Sequence, residues 1–239
     1  MERSRQEFNA ESAGQPHSGF AVIVLAAGTP ARNGRSSRLA RYRGRSLVEH
    51  ATRSALASGA CEVLVVAGDD ISEVRRCLRT FRVRVVHNPL ASEGISSSIR
   101  AGLSSLSPRS AAAIITLCDR PNITPGHLRA LGQRVLTAGG PPVVASAYDG
   151  VLGAPCAFAR QVFPSLLELS GQHGARHLIR AAGAAVEVIF FAHANREVEA
   201  RGDYLPFLSL YRAGNALDDY ADSRDARGPP ARFGTAPAV

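Results

Sequence analysis

An apolar run followed by a loop rich in glycine and arginine offers a place for phosphate groups. The run Phe20–Ala26 predicts a buried strand, and it leads to Gly28 and then to Arg32, Arg35 and Arg38. Main-chain N–H groups of such a turn can line an anion site, and guanidinium groups grip phosphate oxygens through paired hydrogen bonds. A nucleic-acid patch and a solvated loop without function remain alternatives. The pattern is neither GxxxxGK[ST] nor GxGxxG.

A second loop places glycine and serines at the start of a predicted short helix. Residues 87–103 read HNPLASEGISSSIRAGL, with Gly94 ahead of Ser96, Ser97 and Ser98. The N–H groups at a helix N-terminus, together with hydroxyls, suit a phosphate or another polar ligand. Capping of the helix by Ser96 or Ser97 is the structural alternative.

The third loop of interest, LCDRPNITP at residues 117–125, begins with a carboxylate at the end of a buried strand. At the carboxyl end of a buried strand, Asp119 can coordinate Mg²⁺ beside phosphate groups. The alternative is an ordinary turn or cap residue. Pro121 favours an extended conformation at Arg120 and would help to fix the aspartate.

Two later loops carry glycines that allow a close approach of the main chain to a substrate. The segment YDGVLGAPCAF, residues 148–158, contains Gly150 and Gly153. The segment LELSGQHGARHLI, residues 167–179, has glycines ahead of a helix that begins near Arg176. Neither segment indicates a function by itself.

The elements that must position these loops alternate between strands and helices. Strands are predicted at residues 20–26, 62–67, 83–87, 111–117, 143–147, 155–158 and 186–191. Helices are predicted at residues 46–58, 72–80, 96–104, 125–137, 161–169, 175–182 and 204–211. Unbroken apolar strands separated by helices are typical of a parallel sheet covered on both faces. In such α/β folds ligands bind beyond the carboxyl ends of the strands, which selects the loops after Leu25, His87 and Leu117.

Composition predicts one globular domain. The chain has 239 residues, of which 45% are hydrophobic, and we expect the domain at residues 19–212, between a disordered lead-in (1–18) and a disordered tail (213–239). No apolar run is long enough to span a membrane. The N-terminus lacks the apolar stretch of a secretory signal, so we expect a cytoplasmic protein. The four cysteines lie far apart and indicate neither a disulfide framework nor a zinc site.

The charge balance is basic, yet it does not favour a nucleic-acid-binding protein. All 28 basic residues are arginines, and the formal net charge is +8. These arginines are spread along the chain, and aromatic residues make up only 6% of it, whereas nucleic-acid-binding surfaces cluster basic and aromatic side chains. The absence of lysine also removes the usual point-charge ligand of phosphate.

Five segments in this order and spacing carry a family resemblance. They are LAAGTPARNGRSS (25–37), NPLASEGISSSIRAGL (88–103), DRP (119–121), GAPCAF (153–158) and SGQHGAR (170–176). They resemble the patterns LAAGxSxRMGxxK, NPxxxEGxxSSLRAGL, DQP, GxPxxF and SGDxGAR of the MobA-like nucleotidyltransferase superfamily. The likeness is closest to its molybdenum cofactor cytidylyltransferase branch. It implies a three-layer Rossmann-like (GT-A-type) α/β fold with a mostly parallel sheet.

The resemblance also implies a reaction: transfer of a nucleoside monophosphate to a molybdopterin-type cofactor, with release of pyrophosphate. CTP, rather than GTP, is the implied donor. The implied nucleotide-binding residues are Leu25, Ala26, Ala27, Gly28, Arg35, Ser37, Ser96, Ser97 and Ser98. The implied catalytic residues are Arg32, Arg38 and Asp119.

The same likeness implies metal, acceptor and partners. Asp119 and Glu199 would hold Mg²⁺ or Mn²⁺, and Gly153, Pro155 and Arg176 would bind the acceptor. The implied partners are a nucleoside triphosphate, the molybdopterin-type cofactor and a molybdenum hydroxylase apoenzyme, with no nucleic acid and no membrane.

Several positions depart from the family pattern. The signature lysine falls on Ser37, and the DQP glutamine is Arg120; two acids near the C-terminus become Glu197 and Glu199. The chain is therefore interpreted as a transferase using arginine for lysine, as a relative with a changed acceptor, or as an inactive binder of nucleotide or cofactor that serves maturation of a molybdenum hydroxylase. An NAD-dependent oxidoreductase is disfavoured because GxGxxG does not follow the first strand.

Overall fold

A seven-stranded sheet lies at the centre of the computed structural model, which describes residues 19–27, 37–148, 151–172 and 174–191. Its strands are β1 (Phe20–Ala26), β4 (Glu62–Ala67), β5 (Arg84–His87), β6 (Ala112–Leu117), β7 (Val143–Tyr148), β8 (Val151–Ala159) and β9 (Val186–Phe190). A separate small hairpin joins β2 (Arg41–Tyr42) to β3 (Arg45–Ser46). The main strands are apolar runs, and β1 and most of β4 are buried, as expected of a sheet covered on both faces.

The sheet is mostly parallel. Its strand order is β5-β4-β1-β6-β8-β7-β9. Of these strands, β8 alone runs antiparallel to its neighbours β6 and β7, whereas the pairs β1–β4, β1–β6, β4–β5 and β7–β9 are parallel. The chain therefore winds from β1 outwards to β5 and then returns to the other side of β1 through β6.

Helices cover the two faces of the sheet. They are α1 (Leu47–Leu56), α2 (Ile71–Cys77), α3 (Ile95–Ser104), α4 (Pro125–Leu136), α5 (Phe163–Leu167) and α6 (Arg176–Ala182). Val22 and Val24 of β1 belong to the core cluster that includes buried residues of α1 and α4. Ile23 points to the other face, where a Cβ added at Gly102 of α3 would lie 2.6 Å from its Cγ2. This alternation produces the three layers and confirms the predicted fold class.

Local sequence signals start the helices that support the site. Ser46 and Glu49 form a capping box at the N-terminus of α1. Thr124 caps α4 by accepting a hydrogen bond from the His127 N–H, and Pro125 occupies the first turn. The predicted start of this helix, at residue 125, agrees with the structure.

Helix α4 packs on the sheet through a glycine. A Cβ at Gly132 would lie 2.3 Å from Cδ1 of Phe20, so the aromatic ring occupies the space that a side chain would need. The residue is buried in the middle of α4. Glycine is unfavourable within a helix, and its presence here reflects the close approach of α4 to β1.

The structure differs from the sequence predictions in a few places. The hairpin β2–β3 was not predicted, and the strand predicted at residues 155–158 extends over Val151–Ala159. The predicted helix at residues 204–211, and the domain boundaries at residues 18 and 212, lie outside the described residues. Within the described part of the chain, the helices are too short or too polar to cross a membrane.

Candidate functional site

The carboxyl ends of β1, β4 and β6 lie side by side at one edge of the sheet. Leu25 pairs with Val66 on one side and with Leu117 on the other. The Cys118 N–H donates to the Leu25 carbonyl oxygen at 3.2 Å, which carries the β1–β6 pairing into the loop after β6. The three loops that follow these strands therefore begin at the same level.

This edge is also the topological switch point of the sheet. After β1 the chain adds β4 and β5 on one side of this strand and β6 on the other, and α/β sheets bind their ligands in the crevice at such a point. Leu25 and Ala26 are buried strand residues, whereas Ala27 is half-buried. The predicted phosphate-binding residues Gly28, Arg32 and Arg35 lie outside the described residues.

Small residues let the loops around the crevice pack closely. A Cβ added at Gly68, which follows β4, would lie 3.1 Å from Cβ of Ala91 and 3.7 Å from Cβ of Ala27. Ala91 begins the short 3-10 helix Ala91–Glu93 after β5. The loops after β1, β4 and β5 thus meet at Gly68 through main chain and methyl groups.

Arg38 is a buried cation at this edge. It lies in the 3-10 helix Ser37–Leu39 and is 6% exposed. Its Nη1 donates to Oδ2 of Asp70 at 2.9 Å, which joins the end of the loop after β1 to the loop after β4. The predicted role of Arg38 in catalysis and that of Ser37 in nucleotide binding remain predictions.

Asp119 is exposed in the turn after β6. Its neighbour Cys118 is buried, and the pKa of the Cys118 thiol is raised to about 12, mainly by burial; the Asp119 and Asp70 carboxylates contribute to this rise, and the Arg38 guanidinium opposes it. The thiol is therefore neutral. Asp119 and the Arg38–Asp70 pair belong to loops that follow neighbouring strands, so they lie at the same edge of the sheet.

The fit to a metal ion rests on Asp119. An exposed carboxylate is a ligand of the kind that Mg²⁺ and Mn²⁺ prefer. In the described ranges, no group of three or more His, Cys, Asp or Glu residues could hold a metal ion. Glu199, the second predicted ligand, lies outside those ranges. The described chain thus offers one carboxylate at the position where the sequence predicts the metal.

Ser96, Ser97 and Ser98 in the first turn of α3 are buried and make internal hydrogen bonds. Asn88 Nδ2 donates to Oγ of Ser97 and to Oγ of Ser98, both at 2.9 Å. The N-cap of α3 is Gly94, with no side-chain cap, so neither Ser96 nor Ser97 caps the helix as the structural alternative proposed. Ser97 Oγ instead donates to the Gly94 carbonyl oxygen at 2.7 Å. Binding of a nucleotide by these serines remains a prediction.

Asn88 and Gly171, which were not predicted as site residues, hold the first turn of α3 in place. Asn88 is 2% exposed, and its Oδ1 also accepts a hydrogen bond from the Leu90 N–H at 3.0 Å. Ser96 Oγ donates to the Gly171 carbonyl oxygen at 2.6 Å, and a Cβ at Gly94 would lie 2.4 Å from that oxygen. The asparagine of NPLASEG and the first glycine of SGQHGAR were the available signals.

The predicted acceptor residues lie around β8. Gly153 and Pro155 are buried strand residues, and their carbonyl oxygens accept hydrogen bonds from Cys156 Sγ and from Ser146 Oγ, at 2.8 and 2.5 Å. Arg176 is exposed at the start of α6. Helix α6, which begins at Arg176, packs against β8. The pKa of the Cys156 thiol in β8 is raised to about 12, mainly by burial, while a hydrogen bond from the Ser146 main chain and the charge of Arg176 oppose this rise. Acceptor binding itself remains a prediction.

A buried histidine of α4 is hydrogen-bonded to a serine of β7. His127 Nε2 lies 2.7 Å from Ser146 Oγ, and its ring centroid is 4.7 Å from that of Phe191. Burial lowers the pKa of His127 to about 4. Because Ser146 gives its hydrogen to the Pro155 carbonyl oxygen, a neutral His127 must donate to Ser146. The pair is therefore structural and does not act as a serine nucleophile with its base.

A mostly parallel sheet between two layers of helices, with a switch point at the carboxyl ends of its central strands, defines an α/β nucleotidyltransferase fold. The chain belongs to the MobA-like NTP transferase domain family, whose model matches residues 22–187. The resemblance inferred from the five segments is confirmed at the level of the family. The cytidylyltransferase branch remains a prediction.

Known proteins agree with this assignment. The chain is 31% identical over 180 residues to nicotine blue oxidoreductase of Paenarthrobacter nicotinovorans, covering 70% of this chain and 84% of that protein. It is 26% identical to the crystal structure of Rv0371c from Mycobacterium tuberculosis, with a TM-score of 0.64 over 73% of this chain and 89% of that one. The manganese complex of Rv0371c matches at 23% identity, with a TM-score of 0.60 over 80% of this chain and 99% of that one.

Proposed function

We propose that the protein transfers a nucleoside monophosphate from a nucleoside triphosphate, CTP rather than GTP, to a molybdopterin-type cofactor. The observation that carries the proposal is the convergence of Asp119, Arg38 and the end of β1 at one crevice of a MobA-like fold. A carboxylate and a buried cation at this edge support the proposal, because a triphosphate and its divalent cation need groups of these two kinds. We expect this reaction in the cytoplasm.

On the donor side, the main chain at Ala27 and Gly28 approaches the triphosphate, while Arg32 and Arg35 neutralise its charge. Arg38 reinforces them from the floor of the crevice. An arginine differs from lysine in offering a planar fork of N–H donors, which matches two phosphate oxygens at once. This geometry lets arginine replace the lysine that the family pattern has at Ser37.

A divalent cation, Mg²⁺ or Mn²⁺, belongs to the proposal, with Asp119 as its ligand and Glu199 as a second one. When bound, such a cation neutralises charge on phosphate oxygens. The likeness to Rv0371c, whose crystals include a manganese complex, supports the choice of a divalent cation. Asp119 is exposed at the crevice and can bind a hydrated cation without a large rearrangement.

On the acceptor side, a phosphate oxygen of the cofactor attacks the α-phosphorus of the triphosphate. A new P–O bond forms, the bond to the β-phosphate oxygen breaks, and pyrophosphate leaves with that electron pair. Arg176, exposed beside β8, contacts the acceptor, and Gly153 and Pro155 shape its subsite. The protein contributes mainly alignment and charge neutralisation. A molybdenum hydroxylase apoenzyme then receives the product.

Transfer of label from α-³²P-CTP to molybdopterin in the presence of Mg²⁺ tests the proposal, with GTP run in parallel. Asp119→Asn is expected to reduce turnover by about a hundredfold or more, as loss of an electrostatic contact in the transition state does. Asp69→Asn is the matched control, because Asp69 is an exposed carboxylate in the neighbouring loop. Unchanged turnover in Asp119→Asn would reject the metal assignment.

Two other outcomes point to other functions. Binding of CTP without transfer would identify an inactive relative that binds nucleotide or cofactor for maturation of a molybdenum hydroxylase. A second candidate, an oxidoreductase activity, is favoured by the 31% identity to nicotine blue oxidoreductase. Titration with NADH and NADPH separates them: binding of a reduced pyridine nucleotide, together with failure to bind CTP or GTP, would support the redox candidate.

A further inference from the structure

The ion pair between Arg38 and Asp70 is largely buried, and it joins the loop after β1 to the loop after β4. The side chains are 7% and 17% exposed, and the Nη1–Oδ2 distance is 2.9 Å. Asp70 is the N-cap residue of α2, but its side chain makes no capping hydrogen bond to that helix. Aspartate is among the best N-cap residues, so here its carboxylate faces Arg38 at the expense of the cap.

Stability alone is a poor reason for such a pair. Removing two charges from water costs about as much as their attraction returns, and a well-packed apolar pair is often at least as stable. The pair also links segments that are 32 residues apart, so it fixes the 3-10 helix Ser37–Leu39 to the loop after β4. The location of the pair, between two loops of the candidate site, therefore suggests a role other than stability.

We propose that Asp70 is a positioning residue that holds the Arg38 guanidinium in the orientation in which it meets the triphosphate. The proposal rests on the proposed function, because it assigns a role toward the same nucleotide. An arginine side chain has many rotamers, and ordering it at the moment of binding weakens affinity. A carboxylate that fixes the guanidinium in the unliganded protein removes this cost. It also keeps a cation next to Ser37, where the family pattern has lysine.

The test measures the dissociation constant of CTP, with Mg²⁺ present, by titration calorimetry on the full-length chain. Asp70→Asn keeps the shape of the side chain and removes its charge. We expect CTP binding about tenfold weaker, the equivalent of immobilising one long side chain. Asp69→Asn, the exposed neighbour, is expected to bind within about twofold of wild type. Asp70→Glu keeps the charge and is expected to recover most of the affinity.

A double-mutant cycle separates positioning from a merely structural role. In the Arg38→Met background there is no guanidinium to orient, so Asp70→Asn is expected to cause no further loss of CTP affinity. The double variant also removes both buried charges, which keeps a folded protein available if Asp70→Asn alone is unstable. Unfolding by urea is measured for every variant, so that a loss of stability is not mistaken for a loss of binding.

Each outcome decides the proposal. Equal CTP affinity in Asp70→Asn and wild type would overturn it, and so would tighter binding, which would show that Asp70 competes with phosphate for Arg38. Losses that add up in the double variant would show that Asp70 acts independently of Arg38. If wild type binds neither CTP nor GTP, the proposed function falls as well; if wild type binds and Asp70→Asn is unchanged, only the positioning role falls.

Discussion

Acidification is expected to destabilise this protein through His127. The residue is 9% exposed and lies between Ser146 and the ring of Phe191, and burial lowers its pKa from 6.5 to about 4. In the unfolded chain the imidazole takes up a proton near its ordinary pKa, whereas the folded protein resists protonation until about pH 4. The free energy of unfolding therefore falls as the pH falls from 6.5 towards 4.

The size of the effect follows from the two pKa values. The full difference corresponds to an upper limit of about 3 kcal/mol, and we expect about 2 kcal/mol of it to be lost between pH 7.5 and 4.5, because this range ends above the folded pKa of about 4. Urea unfolding at several pH values measures this loss. His127→Gln keeps an N–H group that can reach Ser146 and has no proton to gain, so its unfolding free energy should depend less on pH.

His87→Gln is the matched control, because His87 is exposed at the end of β5. Its pH dependence should follow that of wild type. If wild type and His127→Gln lost the same free energy of unfolding between pH 7.5 and 4.5, protonation of His127 would not be the cause of the loss. The same conclusion would follow if His87→Gln removed the pH dependence.

Three further predictions concern the site and the packing beneath it. Ser37→Lys should raise the rate of nucleotide transfer by less than about tenfold, since Arg38 already supplies a cation; a gain nearer a thousandfold, about 4 kcal/mol, would show that the site lacked one. Gly132→Ala should lower the free energy of unfolding by about 1–3 kcal/mol in urea titrations, because its Cβ would meet the ring of Phe20 at 2.3 Å. Gly126→Ala, where the nearest atom would be 3.9 Å away, serves as its control and should be neutral or slightly stabilising. Asn88→Ala should cost about 2 kcal/mol by the same measurement, because two buried hydroxyls lose their donor; a cost below 0.5 kcal/mol would contradict this account.

Strands with continuous apolar sequence could be located well in advance. The bounds of β1 and β4 agree with those predicted, since nothing interrupts the apolar runs and glycine follows within two residues. The direction of β8 could not be inferred from its composition, because a buried strand is apolar whichever way it runs. The dipeptide Asp149-Gly150 between two apolar runs was the one signal of a hairpin there.

The site was harder to predict than the fold. The sequence placed Asp119 correctly at a strand end, because the rule for carboxyl ends depends only on strand order. It predicted Arg38 as a phosphate ligand but not its burial against Asp70. Two residues that are 32 positions apart produce no periodic pattern in the sequence from which their contact could be inferred. The orientation of the serines towards Asn88 was likewise decided by packing in three dimensions.

The hydrogen bonds between Ser96 and Gly171 affect how freely the sequence of the loop around Gly171 can change. The serine N–H and hydroxyl both reach the glycine carbonyl oxygen, so the loop is attached to α3 largely through its main chain. Side chains of that loop such as Gln172, which is exposed, can then be exchanged without loosening the attachment. Relatives could evolve towards new acceptors there, and a library confined to this loop is a natural starting point for changing substrate preference.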